Sequence, residues 1–336
     1  MKITILGAGT WGTALAILLT ENHHEVTIWS ALEKEVKELS EHRSEIKNLP
    51  GAVLQDSVCV TGDLETALKE LELLVFAVAS IYVRETAKKI ADKLPDDMII
   101  VNVAKGIEEN TLMTLTEVIE DELPKAQVAV LSGPSHAEEV SRKLPTTIVA
   151  GAKKKEVALK IQDVFMTEFF RVYTSSDVIG IELGGSLKNV IALAAGIVDG
   201  LGYGDNTKAA LMTRGIAEIS RLGMKMGGKY ETFAGLSGMG DLIVTCTSKH
   251  SRNRNAGFLI GQGKSAKEAM AEVNQVVEGV LSAKAALALG KKFGMELPIV
   301  EQVNEVLFQD ASPKEAVYQL LIREKTEEHS SCHWQD

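Results

Sequence analysis

The first fourteen residues constrain the fold more than any other part of the chain. The apolar run Ile3–Leu6 leads into a G-x-G-x-x-G turn made by Gly7, Gly9 and Gly12, and an Ala- and Leu-rich stretch follows. This pattern is typical of a dinucleotide site, because the glycines permit a tight turn and the following helix offers free N–H groups to phosphate. A second apolar run, Glu25–Trp29, lies at the expected distance. An ordinary strand-to-helix turn is the alternative.

Composition excludes several classes of protein. The chain has 336 residues, 45% of them hydrophobic, and a formal net charge of −10, which argues against nucleic-acid binding because that would need a basic face. The longest charge-free apolar run lies between Lys188 and Asp199, and its ten residues are too few to span a bilayer. The first residues do not resemble a secretory signal. We therefore expect a cytoplasmic protein that does not insert into membranes.

Cysteine and histidine patterns do not indicate a metal site. Cys59, Cys246 and Cys332 are widely spaced without a C-x-x-C pair, which is typical of reduced thiols in the cytosol. The seven histidines form no metal-binding motif. We predict no metal.

Alternating strand and helix patterns predict an α/β fold: an N-terminal Rossmann domain with a doubly wound, mostly parallel sheet over residues 1–175. From residue 176 to 326 only helical patterns remain, which predicts an all-helical substrate domain, and residues 327–336 are predicted to form a loosely held tail. The predicted strands are Lys2–Leu6, Glu25–Trp29, Leu73–Val78, Met98–Val103 and Val128–Leu131. The predicted helices of the first half are Trp11–Asn22, Leu32–Glu41, Ile81–Leu94 and Thr111–Glu122.

Two residues of the second half are candidates for proton transfer. Lys188 is surrounded by apolar residues, and burial there would lower the pKa of its ammonium group toward that of a general base. A lysine whose stem packs on the helix while its head reaches water is an equal alternative. Asp241 follows a glycine-rich turn and could orient such a lysine, although on local pattern alone a helix N-cap is favoured.

Two further groups indicate an anion site. The donors in the segment from Ser251 to Asn255 include Arg252 and Arg254, whose guanidinium groups suit bidentate binding of phosphate. A solvated basic turn is the alternative. Lys105 follows a predicted strand and could reach a phosphate or a carbonyl, although it could equally be a surface lysine.

Together these residues resemble NAD(P)-dependent glycerol-3-phosphate dehydrogenases of the bacterial type, over nearly the whole chain from Met1 to Arg323. The resemblance implies reversible reduction of dihydroxyacetone phosphate to sn-glycerol 3-phosphate, feeding glycerophospholipid synthesis. The segments that carry it are the glycine turn with Thr10 and Trp11, Lys105–Glu108, Leu131–Ala137, Leu187–Val190, Asp199–Gly202, Asp205–Ala210, Gly240–Leu242, Ser251–Arg254 and Asn274–Gly279.

The resemblance also implies roles for individual residues. It makes Lys188 the group that exchanges a proton with the substrate oxygen, supported by Asn189, Asp241 and Thr245. The implied substrate-binding residues are Lys105, Gly133, Ser135, Lys188, Asp241, Ser251, Arg252 and Asn253. The cofactor-binding residues are Gly7, Gly9, Thr10, Trp11, Gly12, Ser30, Lys105, Ala137, Arg252, Val276 and Glu278, where the glycine turn comes from the motif itself and the others from the resemblance.

Two departures from the family pattern bear on the cofactor. One or more arginines often follow the second strand in the family, whereas this chain continues from Trp29 with Ser30 and Ala31. An acid at this place favours NAD(H) and an arginine favours NADP(H), and Ser30 decides neither. Lys34 could reach a 2′-phosphate or simply be solvated. The resemblance slightly favours NADP(H) and leaves NAD(H) open. The second departure, Ala79 in place of the usual proline, should alter only loop rigidity.

The resemblance and the apolar second domain suggest a homodimer that acts on a small-molecule substrate. Two other functions stay open at this stage. One is a β-hydroxyacid dehydrogenase of similar architecture, which would not need a phosphate site. The other is a non-catalytic nicotinamide sensor, which would not need Lys188, Asp241 and Arg252 together.

Overall fold

An eight-stranded sheet runs through the first half of the chain in the computed structural model, which describes residues 1–43, 46 and 49–328. Its strand order is β3-β2-β1-β4-β5-β6-β7-β8. All neighbouring strands are parallel except β6 and β7, which are antiparallel. The strands are β1 (Lys2–Leu6), β2 (Glu25–Trp29), β3 (Cys59–Thr61), β4 (Leu73–Phe76), β5 (Ile99–Asn102), β6 (Gln127–Ser132), β7 (Thr146–Ala152) and β8 (Phe170–Ser175).

Helices cover both faces of this sheet, so the central strands are apolar on both sides. Ile3 and Ile5 pack in one core with the first helix, and Leu6 packs in a second core on the opposite face with Phe76. The helices of this half are α1 (Thr10–Glu21), α2 (Glu33–Glu41), α3 (Leu64–Ala67), α4 (Val83–Ile90), α5 (Leu115–Glu122), α6 (Ala137–Val140) and α7 (Lys155–Phe165).

The second half is helical and packs around one long central helix, α8 (Val178–Gly200). This helix is long and apolar enough to cross a membrane, but 94% of its most apolar window is buried inside the protein, as in the core helix of a globular fold. The other helices are α9 (Asp205–Lys225), α10 (Tyr230–Phe233), α11 (Asp241–Thr247), α12 (Arg252–Gly261), α13 (Ala266–Val273), α14 (Glu278–Phe293), α15 (Pro298–Phe308) and α16 (Pro313–Leu321).

Glycines bring α12 unusually close to α8. A Cβ atom on Gly196 would lie 2.0 Å from the carbonyl oxygen of Arg254, and one on Gly257 would lie 2.0 Å from that of Leu193. No side chain fits between the two helices there, so their backbones are in direct contact. This contact positions Arg252, at the start of α12, relative to Lys188 in the middle of α8.

The predicted α/β fold class, with a Rossmann-like sheet followed by helices, is confirmed. Three strands were missed: β3, β7 and β8. The antiparallel pairing of β7 with β6 agrees with the predicted mostly parallel sheet. The predicted helix at Thr111 begins only at Leu115, because Thr114 serves as its N-cap and bridges to Ile107.

The predicted domain division stays a prediction, although β8 ends at Ser175 and α8 begins at Val178, next to the predicted boundary. Most of the predicted tail, from residue 329 onward and including Cys332, lies outside the described residues. Within the described part of the chain, no group of histidine, cysteine and acidic side chains could hold a metal ion.

Candidate active site

A cleft of about 1330 Å³ runs from the end of β2, past the glycine turn, to residues of α8, α11 and α12. Two parts of the cleft differ in the residues that line them. The β2 end is lined by Ser30, Ala31, Leu32, Lys34, Glu35 and Glu38. The lysine end is lined by Lys105, Lys188, Asn189, Asp241 and Thr245.

The glycine turn has the geometry that a dinucleotide needs. Gly7 has φ +120°, and its N–H donates to the carbonyl of Trp29 at 2.8 Å. A Cβ on Gly12 would lie 2.1 Å from the oxygen of Gly7, so only glycine lets α1 start this close to the turn. A Cβ on Gly9 would meet nothing within 4 Å, which leaves open space at the N-terminus of α1. Free N–H groups beside open space fit a pyrophosphate.

Asp241 joins two lysines at the other end of the cleft. Its Oδ1 lies 2.7 Å from Nζ of Lys188, and its Oδ2 lies 2.6 Å from Nζ of Lys105. Lys188 Nζ also donates to Oγ1 of Thr245, one helical turn after Asp241, and that hydroxyl donates to the carbonyl of Asp241 at 2.6 Å. Two cations around one carboxylate leave a net positive charge that suits an anionic ligand.

Burial makes Lys188 suitable for proton transfer. Its side chain is only 5% exposed, so the alternative in which its head reaches water is wrong. Burial lowers the pKa of Lys188 to about 8, the Asp241 carboxylate opposes this, and the Lys105 charge adds to it. A lysine with a pKa near 8 exists in both protonation states near neutral pH, as an acid–base catalyst requires.

Asp241 does not cap a helix. It is the first residue of α11, the N-cap is Gly240, and no side-chain capping bond is made there. The capping interpretation is therefore wrong, because the short π-helical turn Leu236–Gly240 already leads into α11 and frees the carboxylate. With an exposed fraction of 2%, that carboxylate is held between the lysines instead.

The loop that carries Lys105 is tied to α8. Gly106 N–H donates to Oγ of Ser186 at 2.9 Å, and this hydroxyl donates to the carbonyl of Gly106 at 3.0 Å. Asn102, at the end of β5, accepts from the N–H of Ala104 at 3.1 Å. These bonds hold Lys105 at the strand end with its side chain 22% exposed, so it is not an ordinary surface lysine.

Gly133 and Ser135 lie behind and beside Lys105. The Gly133 carbonyl accepts from Lys105 Nζ at 3.2 Å and from Ser135 Oγ at 2.9 Å. Ser135 lines the cleft, as does Ala137 at the start of α6, whereas Gly133 does not. Gly133 thus contributes its carbonyl to the position of Lys105.

The predicted anion segment divides between two tasks. Arg252 is exposed and lines the cleft, whereas Arg254 pairs with Asp199 at 2.6 Å and does not line it. Ser251 caps α12 by accepting from Arg254 N–H at 3.2 Å. Only part of the basic segment therefore faces the cleft.

Asn253 fixes the amide of Asn189. Its Nδ2 donates to Asn189 Oδ1 at 2.9 Å, while its Oδ1 accepts from the N–H of Gly279 at 2.8 Å. Both asparagines line the cleft. The side-chain amide of Asn253 thus links α12 to α8 and to the start of α14 through two hydrogen bonds.

Glu278 connects the helical half to the sheet. Its carboxylate accepts from Oγ of Ser80 at 2.6 Å and from the Ser80 N–H at 3.2 Å. Burial raises the pKa of Glu278, and the Ser80 hydrogen bonds and the Arg252 charge oppose that rise. Glu278, Val276, Thr10 and Trp11 line the cleft, and their contact with a cofactor stays a prediction.

Sequence reasoning assigned no role to His136, His250, Glu35 or Ser80. The two histidine rings lie 6.1 Å apart, and both residues line the cleft. Burial, with the charges of Lys188 and Lys105, lowers the pKa of His136 to about 4, so its imidazole is neutral at pH 7. Its position between Ser135 and Ala137 was the available signal.

Two family models match the chain. The model for the C-terminus of NAD-dependent glycerol-3-phosphate dehydrogenase matches residues 177–318, and the model for its N-terminus matches residues 2–158. The chain belongs to the NAD-dependent glycerol-3-phosphate dehydrogenase family. The predicted resemblance is confirmed.

Proteins named as glycerol-3-phosphate dehydrogenases are similar to this chain over nearly its full length. The chain is 60% identical over 333 residues to glycerol-3-phosphate dehydrogenase [NAD(P)+] of Agathobacter rectalis, with 99% of each chain covered. It is 57% identical to the Fusobacterium nucleatum enzyme of the same name, with 97% of this chain and 98% of that one covered.

A solved structure agrees as well. The crystal structure of glycerol-3-phosphate dehydrogenase from Coxiella burnetii superposes with a TM-score of 0.93 at 37% identity, covering 96% of this chain and 99% of that one. The chain is accordingly an oxidoreductase of the glycerol-3-phosphate dehydrogenase type that acts on a CH–OH group and uses NAD(P).

Proposed function

We propose that this chain catalyses the reversible reduction of dihydroxyacetone phosphate to sn-glycerol 3-phosphate, with Lys188 as its acid–base catalyst. The observation that carries the proposal is the buried Lys188–Asp241–Lys105 arrangement. When bound, the nicotinamide supplies the hydride for reduction or takes it up in oxidation. The Lys188 ammonium donates a proton to the carbonyl oxygen in reduction, and its amine accepts the hydroxyl proton in oxidation.

The other residues of the lysine end support this transfer. Asp241 and Thr245 hold Lys188 Nζ in place, and Asn189 is positioned by Asn253 to hydrogen-bond a substrate hydroxyl. Lys105 adds positive charge near the developing alkoxide.

The phosphate of the substrate is assigned to the start of α12. Arg252 faces the cleft there, and the free N–H groups of the helix N-terminus favour an anion. Ser135 and Ser251 complete the predicted substrate contacts. The cofactor is assigned to the glycine turn, Thr10, Trp11, Ala137, Val276 and Glu278, which lie along the same cleft.

A cytoplasmic location remains a proposal that rests on the cysteine pattern. A homodimer remains a proposal that rests on the family resemblance and the apolar second domain. The predicted preference for NADP(H) also rests on resemblance, and the charged side chains at the β2 end favour the opposite preference.

Reduced-nicotinamide oxidation on addition of dihydroxyacetone phosphate tests the function. We expect rapid oxidation with the phosphate and little with dihydroxyacetone or with 2-oxo acids. Arg252→Ala should raise the KM for dihydroxyacetone phosphate by about tenfold or more, because a charge-assisted contact is lost. The matched control is Arg254→Ala, whose partner Asp199 lies outside the cleft lining and whose KM should change much less. Equal KM changes in both variants would contradict the assignment of the phosphate to Arg252.

A further inference from the structure

The side chain that ends β2 is already engaged. Ser30 is buried at 4% exposure, and its Oγ accepts from the N–H of Leu32 at 3.1 Å. The same hydroxyl donates to Oε2 of Glu35 at 2.6 Å. Ser30 thus holds a carboxylate from the first turns of α2 at the strand end. Glu35 is half-buried and lines the cleft.

This carboxylate lies where the adenosine ribose of a dinucleotide binds in a Rossmann fold. The ribose contacts the end of the second strand, beside the glycine turn, and an acid about 20 residues after the turn accepts a hydrogen bond from the 2′-hydroxyl. Gly7 is bonded to Trp29, directly before Ser30, which places the turn and the β2 end side by side. An acid at the strand end itself is absent from the sequence, and Glu35 fills that place from the following helix.

The positive charges around the β2 end do not neutralise the negative charge of the Glu35 carboxylate. The charged side chains that line it and the neighbouring wall are Lys34, Glu35, Glu38, Glu85 and Lys89. Lys89 is paired with Glu85 at 2.7 Å. Among the ion pairs in the described part of the chain, none involves Glu35 or Lys34. After the Lys89–Glu85 pair is set aside, two carboxylates face a single ammonium group.

We propose that Glu35, held by Ser30, selects NAD(H) over NADP(H), and this rests on the proposed function of the cleft. The carboxylate accepts a hydrogen bond from the ribose hydroxyl of NAD(H). It repels the 2′-phosphate of NADP(H), which carries nearly two negative charges at neutral pH.

Lys34 does not reverse this preference. Its side chain is exposed, whereas Glu35 is half-buried and fixed by a hydrogen bond. A solvated ammonium on a flexible stem loses side-chain entropy when it pairs with a phosphate and is screened by salt. The Glu35 carboxylate is fixed by its hydrogen bond to Ser30, so its repulsion acts without that entropic cost.

Cofactor binding without substrate tests the proposal. Kd values for NADH and NADPH, measured by nicotinamide fluorescence on the intact protein, should favour NADH by about tenfold or more at low salt. Raising the ionic strength should narrow the ratio, because screening weakens the repulsion of the phosphate. Glu35→Gln should tighten NADPH binding by roughly tenfold and weaken NADH binding by a few-fold.

Two control variants separate the local contact from general charge. Glu33→Gln removes the same charge from an exposed position of α2 that does not line the cleft, and it should leave the Kd ratio within about twofold of the wild-type value. Lys34→Gln should change NADPH binding by less than about threefold. Glu35→Asp keeps the charge but shortens the reach to Ser30, so it should lose NADH affinity without a large gain for NADPH.

Three results would overturn the proposal: a wild-type preference for NADPH, an unchanged ratio in a folded Glu35→Gln variant, or loss of NADPH binding in Lys34→Gln. Melting curves establish whether each variant is folded. If Glu35→Gln does not fold, the loss of NADH affinity expected for Glu35→Asp is the test. Failure of the proposed function is distinguishable, because it would be seen as no oxidation of either cofactor by dihydroxyacetone phosphate while both Kd values remained measurable.

Discussion

The charged residues at the two ends of the cleft come together in different ways, from distant parts of the chain at one end and from neighbouring residues at the other. At the lysine end, Asp241 lies between Lys105 and Lys188, and these three residues come from α11, the loop after β5, and α8. At the β2 end, Ser30 and Glu35 are five residues apart in the sequence and bond to each other near the surface.

This difference separates a site made by tertiary structure from one made by local sequence. Buried charges at the lysine end perturb each other strongly, because little solvent screens them. The β2 end is partly solvated, so its charges act over short distances and weaken with salt. Substitutions should therefore cost far more at the lysine end, and the effects should differ in kind: rate at one end, cofactor choice at the other.

The largest effect is expected for Lys188→Ala. Removal of the acid–base group should lower kcat by about 100-fold to 10,000-fold while the Kd for the reduced cofactor stays within a few-fold. Steady-state rates and fluorescence binding measure the two quantities separately. Lys208→Met is the matched control, since Lys208 also pairs with an aspartate, Asp199, but does not line the cleft. A near-normal kcat in Lys188→Ala would contradict the expectation that substitutions at the lysine end change the rate and those at the β2 end change the cofactor choice.

The pH dependence sharpens the comparison and is expected to be the next largest effect. Lys188, with its pKa lowered to about 8, must be protonated for reduction and neutral for oxidation. The kcat/KM for reduction should therefore fall as pH rises through about 8, whereas that for oxidation should rise.

Asp241→Asn should shift to lower pH the range over which kcat/KM changes, which is the limb of the pH profile. The carboxylate raises the pKa of Lys188, so its loss should shift the limb of the pH profile downward by about one unit or more. Glu35→Gln is the matched loss of a carboxylate at the β2 end and should leave the limb in place. An upward shift in Asp241→Asn would contradict the electrostatic role of this carboxylate.

The smallest effect is expected for Ser80→Ala, between the two ends. The variant loses the 2.6 Å hydrogen bond to the Glu278 carboxylate but keeps the 3.2 Å bond from the backbone N–H. Cofactor KM should rise by roughly threefold to tenfold with little change in kcat. Ser282→Ala is the control, because the buried hydroxyl of Ser282 lies on α14, as Glu278 does, and has no hydrogen-bond partner among the residues that the structure describes. Equal effects of the two variants would argue against a role for the Ser80–Glu278 bond.

The fold was largely predictable because its apolar patterns are local. The glycine turn and the first two strands follow directly from the sequence. The strand β7 was missed because the alternation of apolar and polar residues in Thr146–Ala152 is weak. Its antiparallel pairing with β6 depends on a non-local contact that no local pattern encodes.

Most of the predicted site residues line one cleft, with Gly12 and Gly133 outside its lining, but the sequence did not distinguish their tasks. Arg254 looked equivalent to Arg252, and only the structure shows its pairing with Asp199. Asp241 looked like a helix cap because capping is judged from neighbours, whereas its two lysine partners are 53 and 136 residues away. Glu35 was not predicted because the known pattern has its acid at the strand end, whereas Glu35 lies in the first turn of the following helix.

The contact between α8 and α12 has a consequence for selectivity. Gly196 and Gly257 bring the two backbones together, so the spacing between Lys188 and Arg252 is a property of main chain against main chain. A change of rotamer at one residue does not alter the distance between these two backbones. With the proton-transfer and phosphate roles proposed above, we expect turnover to fall for phosphorylated substrates longer than dihydroxyacetone phosphate, because the two helices would have to slide to widen this backbone spacing. We therefore infer that discrimination by molecular length begins in the scaffold.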